Sequence, residues 1–161
     1  MKPGDFFVIR TDGWAAPWIR LITRSDVNHA GLYVGNGTII EARPEGAGYA
    51  PVSDGAIWSH LPLTDAERVT VVQQATLLVG TPYSWVDVAC IGLADLFGWH
   101  VPEWVRKRLN RRDRLMCSQL VDEAYRRAGI QLFTDGRPSG DVSPGDLADL
   151  LVAQTDSLSE P

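Results

Sequence analysis

Three residues in this 161-residue chain are of the types that make a thiol-based acyl-transfer site: Cys117, His29 and Glu41. A thiol is a weak nucleophile and its thiolate a strong one. A helix N-terminus favours the negative charge, and a neighbouring imidazolium favours it more. Cys117 opens the stretch Cys117-Ser118-Gln119-Leu120-Val121-Asp122-Glu123-Ala124-Tyr125-Arg126-Arg127-Ala128-Gly129. There Leu120, Val121, Ala124, Tyr125 and Ala128 form an apolar stripe at helical spacing and Gly129 is the stop signal. The spacing predicts a helix with the cysteine at its start. If the fold brings His29 to Cys117, the pair can work as thiolate and imidazolium. The sulfur attacks a carbonyl carbon, and the histidine returns a proton to the leaving group. Glu41 would orient the imidazole and favour its charged form. The Cys117 backbone N–H, free at a helix start, would help hold the oxyanion. Each signal alone has a bland reading: a cysteine at a helix start is more often structural. The case rests on all three residue types falling on suitable elements.

The element that must bring His29 and Glu41 together is a hairpin. Leu32-Tyr33-Val34 and Thr38-Ile39-Ile40 are strong β-formers, and Gly35-Asn36-Gly37 between them is turn chemistry. A two-residue loop at Asn36-Gly37 would pair Gly35 with Thr38, and by alternation would put His29 and Glu41 on opposite faces. A three-residue loop over 35–37, with Gly37 left-handed in a bulge, pairs Val34 with Thr38 and Gly31 with Glu41. His29 is then a diagonal neighbour of Glu41 on one face, about 7–8 Å away at the backbone. The site requires that phase, so the expectation is the three-residue bulged loop.

The remaining elements read as a single α+β domain over 1–153, with 154–161 as a frayed tail. Phe6 to Arg10 is a short buried strand after the turn Lys2-Pro3-Gly4-Asp5. Trp14 to Thr23 is a short helix whose two tryptophans either line a groove or cover the sheet. The Gly- and Pro-rich segment 43–60 is loop, with short strands near 49–52 and 56–58. Thr64-Asp65-Ala66-Glu67 is a capping box that starts a helix running to Val79. Trp85–Phe97 is a buried helix containing Cys90, read as core, and Pro102–Leu109 an amphipathic one. Ser143-Pro144 starts a last helix to about Val152.

Composition excludes several classes. The net charge of −5 argues against a nucleic-acid-binding surface, and the basic run around Arg106–Arg114 reads as a solvated helix face. No apolar stretch reaches membrane-spanning length. No signal-peptide pattern follows Met1-Lys2-Pro3-Gly4-Asp5, which gives a cytoplasmic expectation, or a phage-encoded product or non-classical export if the chain acts elsewhere. Two cysteines in dissimilar surroundings do not suggest a disulfide.

The motifs together resemble a known family. His29-x-x-Leu32-Tyr33-Val34-Gly35-Asn36-Gly37 with Ile39-Ile40-Glu41, then Gly80-Thr81-Pro82-Tyr83-Ser84-Trp85, then Met116-Cys117-Ser118-Gln119-Leu120-Val121 resemble the circularly permuted branch of NlpC-type papain-like cysteine hydrolases. That branch includes YiiX-like proteins and relatives of lecithin retinol acyltransferase. In it the histidine strand precedes the cysteine helix, and the third polar residue lies twelve positions after the histidine, as Glu41 does here. Pro3-Gly4-Asp5-Phe6-Phe7-Val8 and Ser143-Pro144-Gly145-Asp146-Leu147 resemble its opening strand and closing segment. The resemblance implies an antiparallel sheet or partial barrel packed on helices. It also implies a Cys117–His29–Glu41 triad needing neither metal nor cofactor, and Tyr83 as a site-lining group. It makes a peptide or acyl substrate, such as a cell-wall fragment, the expected partner. Glu41 stands where the acyltransferases usually have histidine, which fits the peptidase or amidase side. A lipid-directed acyltransferase or thioesterase, and a catalytically silent binding module, are the alternative readings.

Overall fold

The computed structural model describes residues 1–11, 26–43, 45–82 and 116–159, with side chains through 153. Five strands, β1 (Phe6–Ile9), β2 (His29–Gly35), β3 (Thr38–Arg43), β4 (Gly46–Pro51) and β5 (Ile57–Trp58), form one antiparallel sheet in the order β4-β3-β2-β1-β5. Three α-helices are described: α1 (Asp65–Leu77), α2 (Cys117–Arg127) and α3 (Pro144–Ser159). The α+β class expected from the sequence is what forms. The helices expected over Trp14–Thr23, Trp85–Phe97 and Pro102–Leu109, and with them Cys90, Tyr83 and the Arg106–Arg114 run, lie outside the described residues.

Alternation along the strands sorts the side chains into two apolar layers. Phe6 and Val8 of β1, Ala30 and Leu32 of β2, Ile40 and Ala42 of β3 and Ala47 of β4 face the helices. They pack with Val71 and Ala75 of α1, Leu120, Val121, Ala124 and Tyr125 of α2, and Leu147 and Leu151 of α3. Phe7, Ile9, Ile39 and Ala50 form a second cluster on the opposite face, joined by Tyr33 and Trp58. All four β1 residues are buried, because both faces of that strand are covered. His29 and Glu41 fall, by the same alternation, on the face of the second cluster.

A buried polar clamp fastens the sheet to the helices. Asp5, just ahead of β1, receives a 2.7 Å hydrogen bond from the Arg68 guanidinium of α1, which also donates to the carbonyls of Pro3 and Leu61. The Tyr125 hydroxyl of α2 donates to the Gly4 carbonyl. Each buried charge is thus paired and hydrogen-bonded, as its desolvation requires.

The central hairpin differs from expectation in one detail. The turn is the two-residue type: Asn36 (φ +52°) and Gly37 (φ +71°) form it, and Gly35 pairs with Thr38. The extra residue lies in the strand. Tyr33 pairs with Ile39 and Gly35 with Thr38, so β2 advances two residues where β3 advances one, a β-bulge at Val34. The positive φ values at both turn positions match the strands' twist. The bulge then restores the phase that a plain two-residue hairpin would lose. Gly31 faces Glu41, and His29 is on Glu41's side of the sheet.

Helix boundaries follow their caps. The Thr64 Oγ1 accepts from the Glu67 N–H at 3.3 Å, while Glu67 accepts from the Thr64 N–H at 2.8 Å. α1 ends at Leu77, two residues short of the expected Val79, with Leu78 as its cap. Ser143 caps α3 in the same reciprocal way with Asp146. α3 continues to Ser159 rather than ending near Val152, so the segment expected to fray is helical as far as Ser159.

Gly31 is the position where the sheet tolerates no side chain. A Cβ there would stand 2.7 and 2.8 Å from ring carbons of Phe7 and 2.9 Å from the Ile40 carbonyl oxygen. We expect Gly31→Ala to destabilise the fold by about 1–3 kcal/mol through overpacking, seen as a lower urea midpoint. An unchanged midpoint would show that Phe7 does not rest on this glycine as described.

Candidate active site

Cys117 is the first residue of α2 and only 3% exposed. Its position is set by the turn before it. The Met116 N–H donates to Gln119 Oε1 (3.0 Å), and Gln119 Nε2 donates to the Gly140 carbonyl (3.0 Å). Ser118 Oγ donates to the Val142 carbonyl (2.7 Å). The first turn of α2 is thereby tied to the segment that leads into α3. The N–H groups of Ala30 and Ser118 donate to the sulfur.

His29 opens β2. The residue before it, Asn28, is buried and braces the strand start: Asn28 Oδ1 accepts from the Thr11 N–H and Nδ2 donates to Thr11 Oγ1, both at 2.7 Å. The imidazole lies edge-on to Phe7, with ring centroids 6.3 Å apart. Its Nε2 is 2.6 Å from Glu41 Oε2, and the ring is also hydrogen-bonded to the Cys117 thiol. Since Nε2 is taken by Glu41, Nδ1 is the nitrogen left for the sulfur. The histidine side chain remains 19% exposed, whereas Glu41 is 3% exposed. The imidazole is therefore the part of this triad open to solvent.

Glu41 has a second partner. The Arg43 guanidinium forms an ion pair with its Oε1. That oxygen is buried, and the Arg43 guanidinium is the cation set against it. Arg43 is itself about half exposed.

The electrostatics follow from these contacts. Burial opposes the charged form of His29. The hydrogen bonds to Cys117 and Glu41, with the charges on both, outweigh it and push the imidazole up to about 10. Burial opposes the Cys117 thiolate in the same way, yet the His29 hydrogen bond and charge, with the Ala30 and Ser118 N–H groups, bring the thiol below its usual range. Glu41 is held below the usual carboxylate range against its burial, by His29 first and then by Arg43. All three shifts favour the same state: thiolate, imidazolium and carboxylate side by side. Such a state can deliver a nucleophile and a proton at neutral pH.

Cys117, His29 and Glu41, singled out from the sequence, are thus joined in a line, with His29 in contact with both of the others. Tyr83 lies outside the described residues. The sequence reading passed over Arg43, Asn28, Ser118 and Gln119. Arg43 was findable: it is two residues beyond Glu41 on a strand, hence on the same face. Gln119 three residues after Met116 is the second half of a capping box, obscured because its first residue is methionine.

No family model matches the chain, and no curated protein does. Among solved structures, the chain is similar to the crystal structure of metalloprotein yiiX from Escherichia coli O157:H7, DUF1105. Identity is 18%, over 92% of this chain and 79% of that one, with a TM-score of 0.60. The chain therefore shares its fold with YiiX.

Proposed function

We propose that this chain is a thiol-dependent hydrolase of the permuted NlpC-type papain-like kind, cleaving an amide bond with Cys117 as nucleophile, His29 as general acid–base and Glu41 as the group that orients His29. The observation that carries this reading is the line of contacts from a thiol at a helix N-terminus, through one imidazole, to a buried carboxylate. The YiiX-like fold supports it. A peptidoglycan-type peptide is the proposed substrate, on the sequence resemblance alone.

The steps follow from the geometry. The Cys117 thiolate attacks the carbonyl carbon, and the Cys117 backbone N–H at the start of α2 helps hold the oxyanion. Collapse expels the amine, which takes its proton from the His29 imidazolium, and leaves a thioester on Cys117. Water then attacks the thioester while neutral His29 takes its proton. The acid departs and the thiolate–imidazolium pair returns. Glu41 keeps Nε2 occupied throughout, so the proton moves at the ring nitrogen facing the sulfur.

The E. coli relative is described as a metalloprotein. Among the described residues, no group of three or more His, Cys, Asp and Glu side chains is placed to hold a metal ion. Around Cys117 two donors converge, the sulfur and one ring nitrogen, because the other nitrogen and the carboxylate face each other. A catalytic zinc takes three protein ligands. The described residues do not make up such a centre, and no step here passes through a metal. Among the described residues no helix is long and apolar enough to cross a membrane.

Two measurements test the proposal. Iodoacetamide should modify Cys117, followed by mass spectrometry of its peptide, at mildly acidic pH where an ordinary thiol, ionising at about 8.5, reacts only slowly. His29→Ala should abolish that reactivity. A thiol no faster than a model peptide, indifferent to His29→Ala, would sink the catalytic reading. Against a panel of muropeptides, phospholipids and acyl thioesters, turnover should appear with the muropeptides. It should vanish in Cys117→Ala and fall by about 10²–10⁴ in His29→Ala, the usual loss of a general acid–base. Cleavage confined to the lipid or thioester substrates would replace the amidase assignment.

A further inference from the structure

We propose that Arg43 is a positioning residue of this site, whose guanidinium on Oε1 keeps Glu41 ionised and leaves Oε2 free to face His29. This rests on the thiol-hydrolase reading of the Cys117–His29 pair. A carboxylate buried to 3% exposure must have both oxygens compensated, because an uncompensated charge there costs several kcal/mol. His29 covers Oε2 at 2.6 Å. Oε1 is buried as well, and the Arg43 guanidinium supplies its compensation.

The surroundings leave this role to Arg43. Among the described residues, the charged groups facing Glu41 are His29 from β2 and Arg43 from its own strand. β4 presents Gly48 opposite Glu41 and Gly46 opposite Arg43, neither ionisable, and β2 presents Gly31. α2 contributes Cys117, which reaches Glu41 only through His29. With thiolate, imidazolium, carboxylate and guanidinium the group is neutral: two anions and two cations. Without Arg43 it carries a net negative charge.

The sign of the consequence is fixed by electrostatics. Removing a cation favours the protonated form of every nearby group. Without Arg43 the carboxyl, the thiol and the imidazole should all hold their protons to higher pH. The thiolate then forms later, and the working window slides toward alkaline pH. A role in packing alone would lower stability or amplitude and leave that window in place.

The test follows the ultraviolet absorbance of the Cys117 thiolate against pH, each protein being subtracted from its Cys117→Ala counterpart so that Cys90 cancels. Arg43→Gln should move thiolate formation upward by roughly 0.5–1 pH unit, a shift reduced by the half-exposure of the guanidinium. Arg43→Lys should bring it most of the way back. If the native protein forms thiolate below the ordinary thiol range but Arg43→Gln superimposes on it, the Arg43 proposal alone falls. A shift that Arg43→Lys does not restore also overturns it, since charge is then not the cause. If the native protein itself ionises in the ordinary thiol range, the ion pair is absent and the hydrolase reading falls with it.

Discussion

The carboxylate of Glu41 is the constraint around which this site is arranged. It is an anion almost wholly removed from water, and such a group persists only with cations at its oxygens. His29 and Arg43 are those cations. Pairing with Glu41 fixes one ring nitrogen of His29 and turns the other toward α2. There the hydrogen bond and charge of His29, with the Ala30 and Ser118 N–H groups, lower the thiol of Cys117 against its burial. One buried charge thus links β3 to β2 and, through the imidazole, the sheet to the helix that carries the sulfur.

That linkage depends on parity. On a strand, one residue more or fewer moves every later side chain to the other face. The β2–β3 hairpin needs one extra residue between His29 and Glu41. Sequence reasoning inferred the need correctly and placed the residue in the turn. The chain places it at Val34, inside the strand, with a tight Asn36-Gly37 turn beyond. Gly-Asn-Gly is compatible with either solution, because each residue accepts positive φ at little cost. The requirement that His29 and Glu41 share a face was legible from their chemistry; the location of the bulge was not.

Other parts of the molecule show the same division. The α1 and α3 starts were readable because Thr64/Glu67 and Ser143 with Pro144 are local signals, and local signals survive into the fold. The span of α2 was readable from its apolar stripe and from Gly129 at its end. The clamp of Asp5, Arg68 and Tyr125 was not, since Arg68 lies 63 positions from Asp5 and Tyr125 lies 121 from its partner Gly4, and no local pattern marks a long-range ion pair. Arg43 lay between these cases. Its face follows from strand alternation, but its importance emerges only once Glu41 is seen to be buried with one oxygen still to be compensated.

The central claim is that His29 is an imidazolium held between a thiolate and a carboxylate. Nitrogen NMR of the His29 ring across a pH titration reads that state directly. Both ring nitrogens should remain protonated through neutrality, with the transition at about 10. A transition near 6.5, the value of an unperturbed histidine, would contradict the account.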